Sequence, residues 1–491
     1  MNNASANKQT TPTGDGGARV KVEACTCLDD SHTRGSTQAA AAQELRRLLS
    51  GEEPSDAPPG AFGEWQHHIQ ALRDAWQAGG TDAVRTVFDA LARQEPALAE
   101  LAAREAPGAT ALEDTIAVFQ RWLYLPDPAP LLAVLAAVLA NYGPGDPVWL
   151  LLVAPPSHGK TEILQSLAAL PRIHAVGVLT EASLLSGTPR KERAKDAQGG
   201  LLRAIGDHGI LVVKDFGSIL SINKNDRGPL LAALREVYDG HWVRLVGTEG
   251  GRTLEWHGKC GLIGGATPAI DEHHAVMSTL GERFVFLRMD DTDGSGLTKR
   301  ALQAAGNEHA MRQELTAAVA ALFQNIPRPQ IATLSEREQE KLVALASFTT
   351  RCRSAVNRDP YSREIILIPG AEAPSRLAKV LLLLLSALEA LGVARAEAWL
   401  LVERVAFDSM PRIRWQALKV MLKDTSKRWS TSELASLLGY PTTTTRRALE
   451  DLAAYRVLQR HAEGPGHADE WEPTDWAVET YLAATNLSRN S

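Results

Sequence analysis

The run Val148-Trp-Leu-Leu-Leu-Val153 contains no polar residue. A strand that is apolar on both faces has one ordinary home, the middle of a parallel sheet covered by helices on each side. The residues after it narrow the fold further. Ala154-Pro-Pro-Ser-His-Gly-Lys-Thr161 leads into a helix-forming stretch from Glu162. Strand, loop and helix with G-K-[ST] at the loop's end is the P-loop pattern, in which backbone N–H groups and the helix N-terminus surround phosphates. Ser157, His158, Gly159, Lys160 and Thr161 are therefore expected to hold ATP, with Lys160 on the β and γ phosphates and Thr161 on Mg2+. Ala154 stands where the pattern has its first glycine, and a positive φ there would cost about 1 kcal/mol.

Three further runs repeat the apolar signature: Ile210-Leu-Val-Val213, Gly261-Leu-Ile-Gly-Gly265 and Phe284-Val-Phe-Leu287. Helical stretches lie between them, which predicts an α/β core. The first run ends in Lys214-Asp215, and an aspartate at the C-terminal end of a later strand is the Walker B ligand of magnesium. Between Asp215 and Thr267, Trp242–Val246 and Thr253–Trp256 flank a Gly-rich turn and predict a β-hairpin.

The order of these motifs resembles that of the AAA+ ATPases over residues 109–423. The segments LYLPDP, LREVYDG, GERF and EAPSRLAK also look like those of ATP-binding proteins carried by bacteria, their phages and mobile elements. The resemblance implies an αβα P-loop core with a helical lid, assembled into a ring, of which a hexamer is one form. It implies a sensor-1 role for Thr267 and an arginine finger at Arg283, reaching a neighbour's ATP. It implies a sensor-2 role for Arg376, on a lid folded over the nucleotide. Catalytic residues on this reading are Lys160, Asp215, Thr267, Arg283 and Arg376. The bland alternatives are a surface ion pair for Arg283 and a solvated first-turn position for Arg376. The hairpin resembles the pre-sensor-1 hairpin of MCM-like helicases and enhancer-binding activators, where Arg244 and Arg252 would face DNA. Many AAA+ motors follow the Walker B aspartate with a catalytic glutamate; this chain has Phe216, with Glu236 and Glu181 as substitutes.

Near the C-terminus, Ser430-Thr-Ser-Glu433 is a capping box opening a short helix that Gly439-Tyr-Pro441 breaks. A second helix starts at Thr442, giving helix–turn–helix spacing. Arg456–Arg460, a Gly464–Gly466 turn and Glu470–Glu472 read as a β-hairpin wing. The unit resembles the winged helix of MarR-like regulators, which implies DNA contacts from Thr442, Thr443, Thr445, Arg446 and Arg447. The acidic wing residues Glu463, Asp469, Glu470 and Glu472 point instead toward a protein partner.

Composition bounds the rest. A net charge of −6 on 491 residues gives no global basic field, so nucleic acid would be met by a local patch. Four scattered cysteines, with Cys25 and Cys27 lacking a second pair, exclude a disulfide framework and a zinc site at that pair, and predict a reduced, cytoplasmic chain. The expected organisation is a disordered tail (1–36), a helical N-terminal region (37–107), an AAA+ core (108–299), a helical lid (300–425) and a winged helix-turn-helix (426–491). The function expected is that of an ATP–Mg2+-dependent DNA motor or helicase. The alternatives are an ATP-gated transcription regulator and a nucleotide-binding scaffold with little hydrolysis.

Overall fold

The computed structural model describes most of the chain from residue 40 to residue 485. Residues 1–39, 99–108, 187–198, 248–250, 279–280, 290–292, 463–467 and 486–491, with several positions between 42 and 96, lie outside the described residues. The expected tail, Cys25 and Cys27, Glu463 and the Gly464–Gly466 turn fall among them. The chain divides into two compact units, 1–104 and 105–491.

In the first unit, helix α1 (Gln66–Gln94) changes direction at Gly79-Gly80, where Gly80 takes φ +63°. Leu45, Leu48, Phe62, Ile69, Leu72 and Val84 form its core. Arg73 pairs with Glu44 at 2.7 Å and also donates to the Ser55 and Ala57 carbonyls, which satisfies the guanidinium beside that core.

The second unit is built on five parallel strands in the order β2-β3-β6-β1-β7. These are β1 (Trp149–Val153), β2 (Ile173–Val176), β3 (His208–Val213), β6 (Lys259–Ala266) and β7 (Phe284–Arg288). Alternate side chains enter separate cores on the two faces. Leu150, Leu152, Ile210, Val212, Ile263, Val285 and Leu287 lie in one. Trp149, Leu151, Val153, Leu211, Val213, Leu262 and Phe284 lie in the other. This two-sided burial is why β1, β3, β6 and β7 carry no polar alternation over their buried lengths. Strands β4 (His241–Val246) and β5 (Arg252–His257) form a separate antiparallel hairpin.

Two helices lead into β1: α2 (Ala109–Trp122) and α3 (Ala129–Tyr142). The buried Asn141 on α3 fixes the start of β1. Its Oδ1 accepts from Val148 N–H at 2.9 Å, and its Nδ2 donates to the Val148 carbonyl at 2.9 Å. A Cβ at Gly261 would lie 2.5 Å from this amide, so glycine is what lets β6 pass the clamp. Helix α4 (Lys160–Gln165) comes directly after the loop that leaves β1, and α5 (Lys224–Tyr238) precedes the hairpin.

Beyond β7 the chain is mainly helical: α6 (Glu308–Asn325), α7 (Glu336–Arg353), α8 (Ser375–Ala390), α9 (Arg395–Asp408) and α10 (Arg412–Met421). Leu377, Val380, Leu381, Leu384, Leu385 and Leu388 of α8 enter the same core as one sheet face. Two short strands, β8 (Asn357–Arg358) and β9 (Ile365–Leu367), interrupt the series. The end of α9 is tied to β7, because Ser409 Oγ accepts from Phe286 N–H and Asp408 accepts from Arg288 N–H.

The last segment holds α11 (Thr431–Leu438) and α12 (Thr442–Ala454), joined through Gly439 at φ +69°. A sheet of β10 (Trp429–Ser430), β12 (Glu470–Pro473) and β11 (Leu458–His461), in that order, and α13 (Asp475–Thr485) complete it. Trp476 of α13 stacks on Phe348 of α7, and Tyr481 packs against Phe348, Phe407 and Trp415. Among the described residues no helix is long and apolar enough to cross a membrane. Cys260 and Cys352 are buried free thiols, and burial pushes the Cys260 thiol up to about 12, so it stays protonated.

Candidate functional site: a P-loop at the sheet's switch point

The chain runs from β1 to the far edge at β2, returns through β3 and β6, and then crosses to β7 on the other side of β1. The C-terminal end of β1 is therefore where connections leave in opposite directions. In open parallel sheets that crevice is the usual ligand position. The loop 154–159 lies there and leads at once into α4.

The residues with left-handed backbone in this loop are Ser157 (φ +66°) and Gly159 (φ +79°). Ala154 is not one of them. It is fully buried, and its N–H donates to the Ala266 carbonyl at 3.1 Å as a continuation of strand pairing. The strain expected for alanine at the first glycine position is thus absent, because the turn is made later. Lys160 Nζ folds back to the Ala154 and Pro155 carbonyls, at 2.6 and 2.7 Å. Burial lowers the Lys160 pKa, and the nearby Asp215 carboxylate acts in the opposite sense. His158 Nδ1 lies 2.9 Å from the Pro156 carbonyl. Thr161 is exposed on the first turn of α4. Leu123, in the segment between α2 and α3, lies over Gly159, with its Cδ1 3.9 Å from where a Cβ would be.

Asp215 leaves the end of β3 at the same edge of the sheet. It is exposed, and its Oδ1 accepts from Gly217 N–H at 3.0 Å. Phe216 turns the other way. It is fully buried against Phe284 (centroids 4.9 Å apart), and its N–H donates to the Gly265 carbonyl. A glutamate at this position would place its carboxylate in the apolar core. The two substitutes are also accounted for. Glu181 pairs with Arg244 at 3.0 Å, and Glu236 is exposed on α5. Thr267 comes after the end of β6, beside β1, and starts the short helix Pro268–His273. Lys160, Thr161, Asp215 and Thr267 thus occupy one edge of the sheet.

Arg283 and Arg376 do not. Arg283 immediately precedes β7, at the N-terminal edge. It is 6% exposed, pairs with Asp239 at 2.6 Å and lies over the Tyr238 ring at 5.1 Å. Arg376 donates to the Gly281 carbonyl at 2.8 Å and approaches the same ring. Five residues of strand at roughly 3.3 Å each put about 17 Å between the two edges. The two arginines share the Tyr238 ring, about that far from Lys160 of the same chain, too far to meet the same nucleotide phosphates. For Arg376 this corrects the expectation of a lid arginine above its own P-loop. At the P-loop edge, Arg404 of α9 donates to the Arg288 carbonyl and pairs with Asp127, and Arg312 of α6 pairs with Glu162 at the start of α4. No local motif marks Arg404, because its placement comes from the docking of α9 on β7.

The C-terminal residues divide as well. Thr445 is fully buried and its hydroxyl donates to the Pro441 carbonyl, so it faces the core and not a groove. Thr442, Thr443, Arg446 and Arg447 are exposed on α12. Arg446 is paired with Glu450 at 3.1 Å and Asp469 at 3.3 Å. The described acidic residues of the strand pair are largely engaged: Asp469 by Arg460, and Glu472 by Arg428 and His461. Arg358 of β8 is held by Glu450 and Asp451, so Arg358, Arg363, Arg446, Arg447 and Arg460 line one cleft beside α12. On the β4–β5 hairpin, Arg244 is committed to Glu181 and the Leu185 carbonyl.

No protein-family model matches the chain, and no curated protein matches it. Among solved structures it is similar to a protein from Cytophaga hutchinsonii described as a candidate ATPase, at 13% identity and TM-score 0.35, over 61% of this chain and 86% of that one. It is also similar to the C-terminal region of NrS-1, at 11% identity and TM-score 0.22, over 74% of this chain and 76% of that one. Likenesses at this level leave the reading of the site to its own geometry.

Proposed function

We propose that this chain is an ATP–Mg2+-binding ATPase of the AAA+ type that works as a ring and engages DNA through a winged helix at 426–491. The observation that carries the reading is the strand–loop–helix at 149–165. It sits at the switch point of a parallel sheet, with Lys160 inside the loop and Asp215 and Thr267 at the neighbouring strand ends. The residues suit the ligand. The turn at Ser157 and Gly159 leaves backbone N–H groups and the start of α4 facing a phosphate chain, and Thr161 with Asp215 offers oxygen to a magnesium ion. Bound magnesium would neutralise charge on the transferred phosphoryl group. Lys160 would orient the β and γ phosphates, and Thr267 would position the attacking water.

Arg283 and Arg376, at the opposite edge, fit a shared site in which one copy's arginines serve the next copy's nucleotide. That arrangement needs the Arg283–Asp239 pair to open on assembly. A second reading, a nucleotide-gated scaffold with slow hydrolysis, is favoured by Phe216, which leaves no carboxylate directly after Asp215. DNA engagement is supported by the arginine-lined cleft at α12.

The deciding measurement is the ATPase rate of the full chain with and without single- and double-stranded DNA. A motor is expected to hydrolyse ATP and be stimulated by DNA, and to lose both with Asp215→Asn. A chain that binds ATP yet turns it over no faster than Asp215→Asn, with or without DNA, is the scaffold. Affinity for duplex should fall steeply with salt if phosphates are the contacts, and Arg447→Ala should weaken it for all sequences alike.

A further inference from the structure

The β4–β5 hairpin carries a group of side chains that neither the P-loop nor the DNA reading uses. His241 and His257 are cross-strand partners at its base. Glu255, two residues before His257, emerges on the same face, while Trp242, Leu254 and Trp256 on the opposite face are buried. The two imidazoles stack face to face, with centroids 4.2 Å apart and planes 4° from parallel. Their Nε2 atoms lie 3.0 and 2.8 Å from one atom, Glu255 Oε1. Among the described residues this is the group of three whose His, Cys, Asp and Glu donor atoms converge, all within 4.8 Å of one another.

We infer that His241, Glu255 and His257 form a binding site for one divalent transition-metal ion, of the zinc, nickel or copper class. Donor geometry supports it first. A tetrahedral ion bonded at about 2.0–2.1 Å spaces its ligand atoms about 3.3 Å apart. The two observed nitrogen–oxygen distances, 3.0 and 2.8 Å, must open by about 0.3 and 0.5 Å to reach that, and the stacked rings must turn about their Cβ–Cγ bonds so that both in-plane lone pairs aim at one ion. Donor chemistry agrees. Two imidazoles with one carboxylate suit zinc, copper or nickel, whereas magnesium and calcium prefer all-oxygen sets. A magnesium ion at Thr161 and Asp215 and a transition ion here would therefore not compete. Backbone rigidity adds to both. The strand ends beneath the site are closed by Gly258 N–H donating to the Gly240 carbonyl at 3.0 Å, and cross-strand pairing sets the backbones of the two histidines opposite each other, with their exposed rings left room to turn.

Three protein ligands leave a fourth position for water or for a group from a partner. The site stands at the sheet's N-terminal edge, two residues from Asp239, which holds Arg283. An ion there would stiffen the base of the hairpin beside the arginine pair.

The test uses the full chain, stripped with EDTA, desalted and titrated with Co2+. One equivalent is expected to give visible d–d bands that Zn2+ abolishes. Loss of an outer-shell partner already costs metal sites about 10–100-fold in affinity, so His241→Ala and His257→Ala should each cost at least about 100-fold. Glu255→Gln should weaken binding less, and His309→Ala, at an exposed position of α6, should leave it unchanged. Should a histidine variant fail to fold, Glu255→Gln, a surface isostere, carries the comparison. Absence of the bands in the wild-type chain would overturn the site. So would bands that persist at full affinity in the His241→Ala/His257→Ala double variant, or that are unchanged in Glu255→Gln.

Discussion

Lys160 shows how a single side chain can be both structural and functional. Its ammonium bonds two loop carbonyls, at 2.6 and 2.7 Å, in the space a phosphate would share. Half-buried and close to Asp215, it is held where its charge is poorly screened. Charged hydrogen bonds contribute about 1.5–3 kcal/mol each, so Lys160→Ala should weaken ATP binding by roughly 10–100-fold. Nucleotide titration by calorimetry measures this, and far-UV circular dichroism should show an unchanged fold. ATP affinity equal to wild type would remove the P-loop assignment. Phe216 gives the complementary lesson. In the sequence it looks like a missing catalytic group, yet its ring fills a core position against Phe284. The residue type was legible and its direction was not, because direction depends on which face of β3 is covered by what.

Among the elements, α7 and α9 offer two separable tests. Ser335 and Glu338 form a capping box at the start of α7, and Glu338 also accepts from Arg395 at 2.7 Å and Trp399 at 3.0 Å. Burial alone would raise the Glu338 pKa. The Arg395 guanidinium, with the Ser335 N–H and Trp399, outweighs it and holds the carboxyl down at about 2. A depressed folded-state pKa gives stability that is fully present above the unfolded value and lost as pH falls. That loss should therefore run from about 4.5 down to about 2. Glu338→Gln should be less stable at neutral pH and should lose stability less steeply over that window, as read by denaturant unfolding at stepped pH. An equal slope in both proteins would show that Glu338 is not the group involved.

The second test is the Lys341–Glu403 pair joining α7 to α9, at 2.5 Å, with Lys341 only 1% exposed. Breaking a buried pair costs about 3–5 kcal/mol because one charge is left uncompensated. Glu403→Gln should destabilise accordingly. Lys341→Met combined with Glu403→Leu should recover most of the loss, since packed apolar groups of similar size avoid desolvation altogether. Chemical denaturation of the three variants separates these outcomes. If the double variant is as unstable as the single one, the pair is contributing more than charge compensation.

Across the whole molecule, the separation of Lys160 from Arg283 and Arg376 sets the prediction. Residues on opposite edges of one sheet can complete a site only between copies. Hydrolysis should then rise faster than linearly with protein concentration. Arg283→Ala and Lys160→Ala chains, each inactive alone, should regain part of the activity when mixed, since some interfaces pair an intact arginine with an intact loop. Linear concentration dependence, with no rescue on mixing, would exclude the shared site.

What the sequence determined by itself is the set of features whose causes are local. The apolar run into Pro-Pro-Ser-His-Gly-Lys-Thr requires a strand, a loop and a helix, because burial on both faces and turn chemistry act within a dozen residues. The capping box at Ser430 and the break at Gly439 are local in the same way, and α11 begins and ends where they stand. The tertiary structure decided what depends on strand order and docking. It moved the left-handed turn from Ala154 to Ser157, buried Thr445 and committed Arg244 to Glu181. It also brought Arg376 to Arg283 and Arg404 to the P-loop edge, and gathered His241, Glu255 and His257 on one face of a hairpin. Those meetings join residues far apart in the chain, or hang on pairing register. Both are set by how helices and strands pack, which spacing along the sequence does not encode.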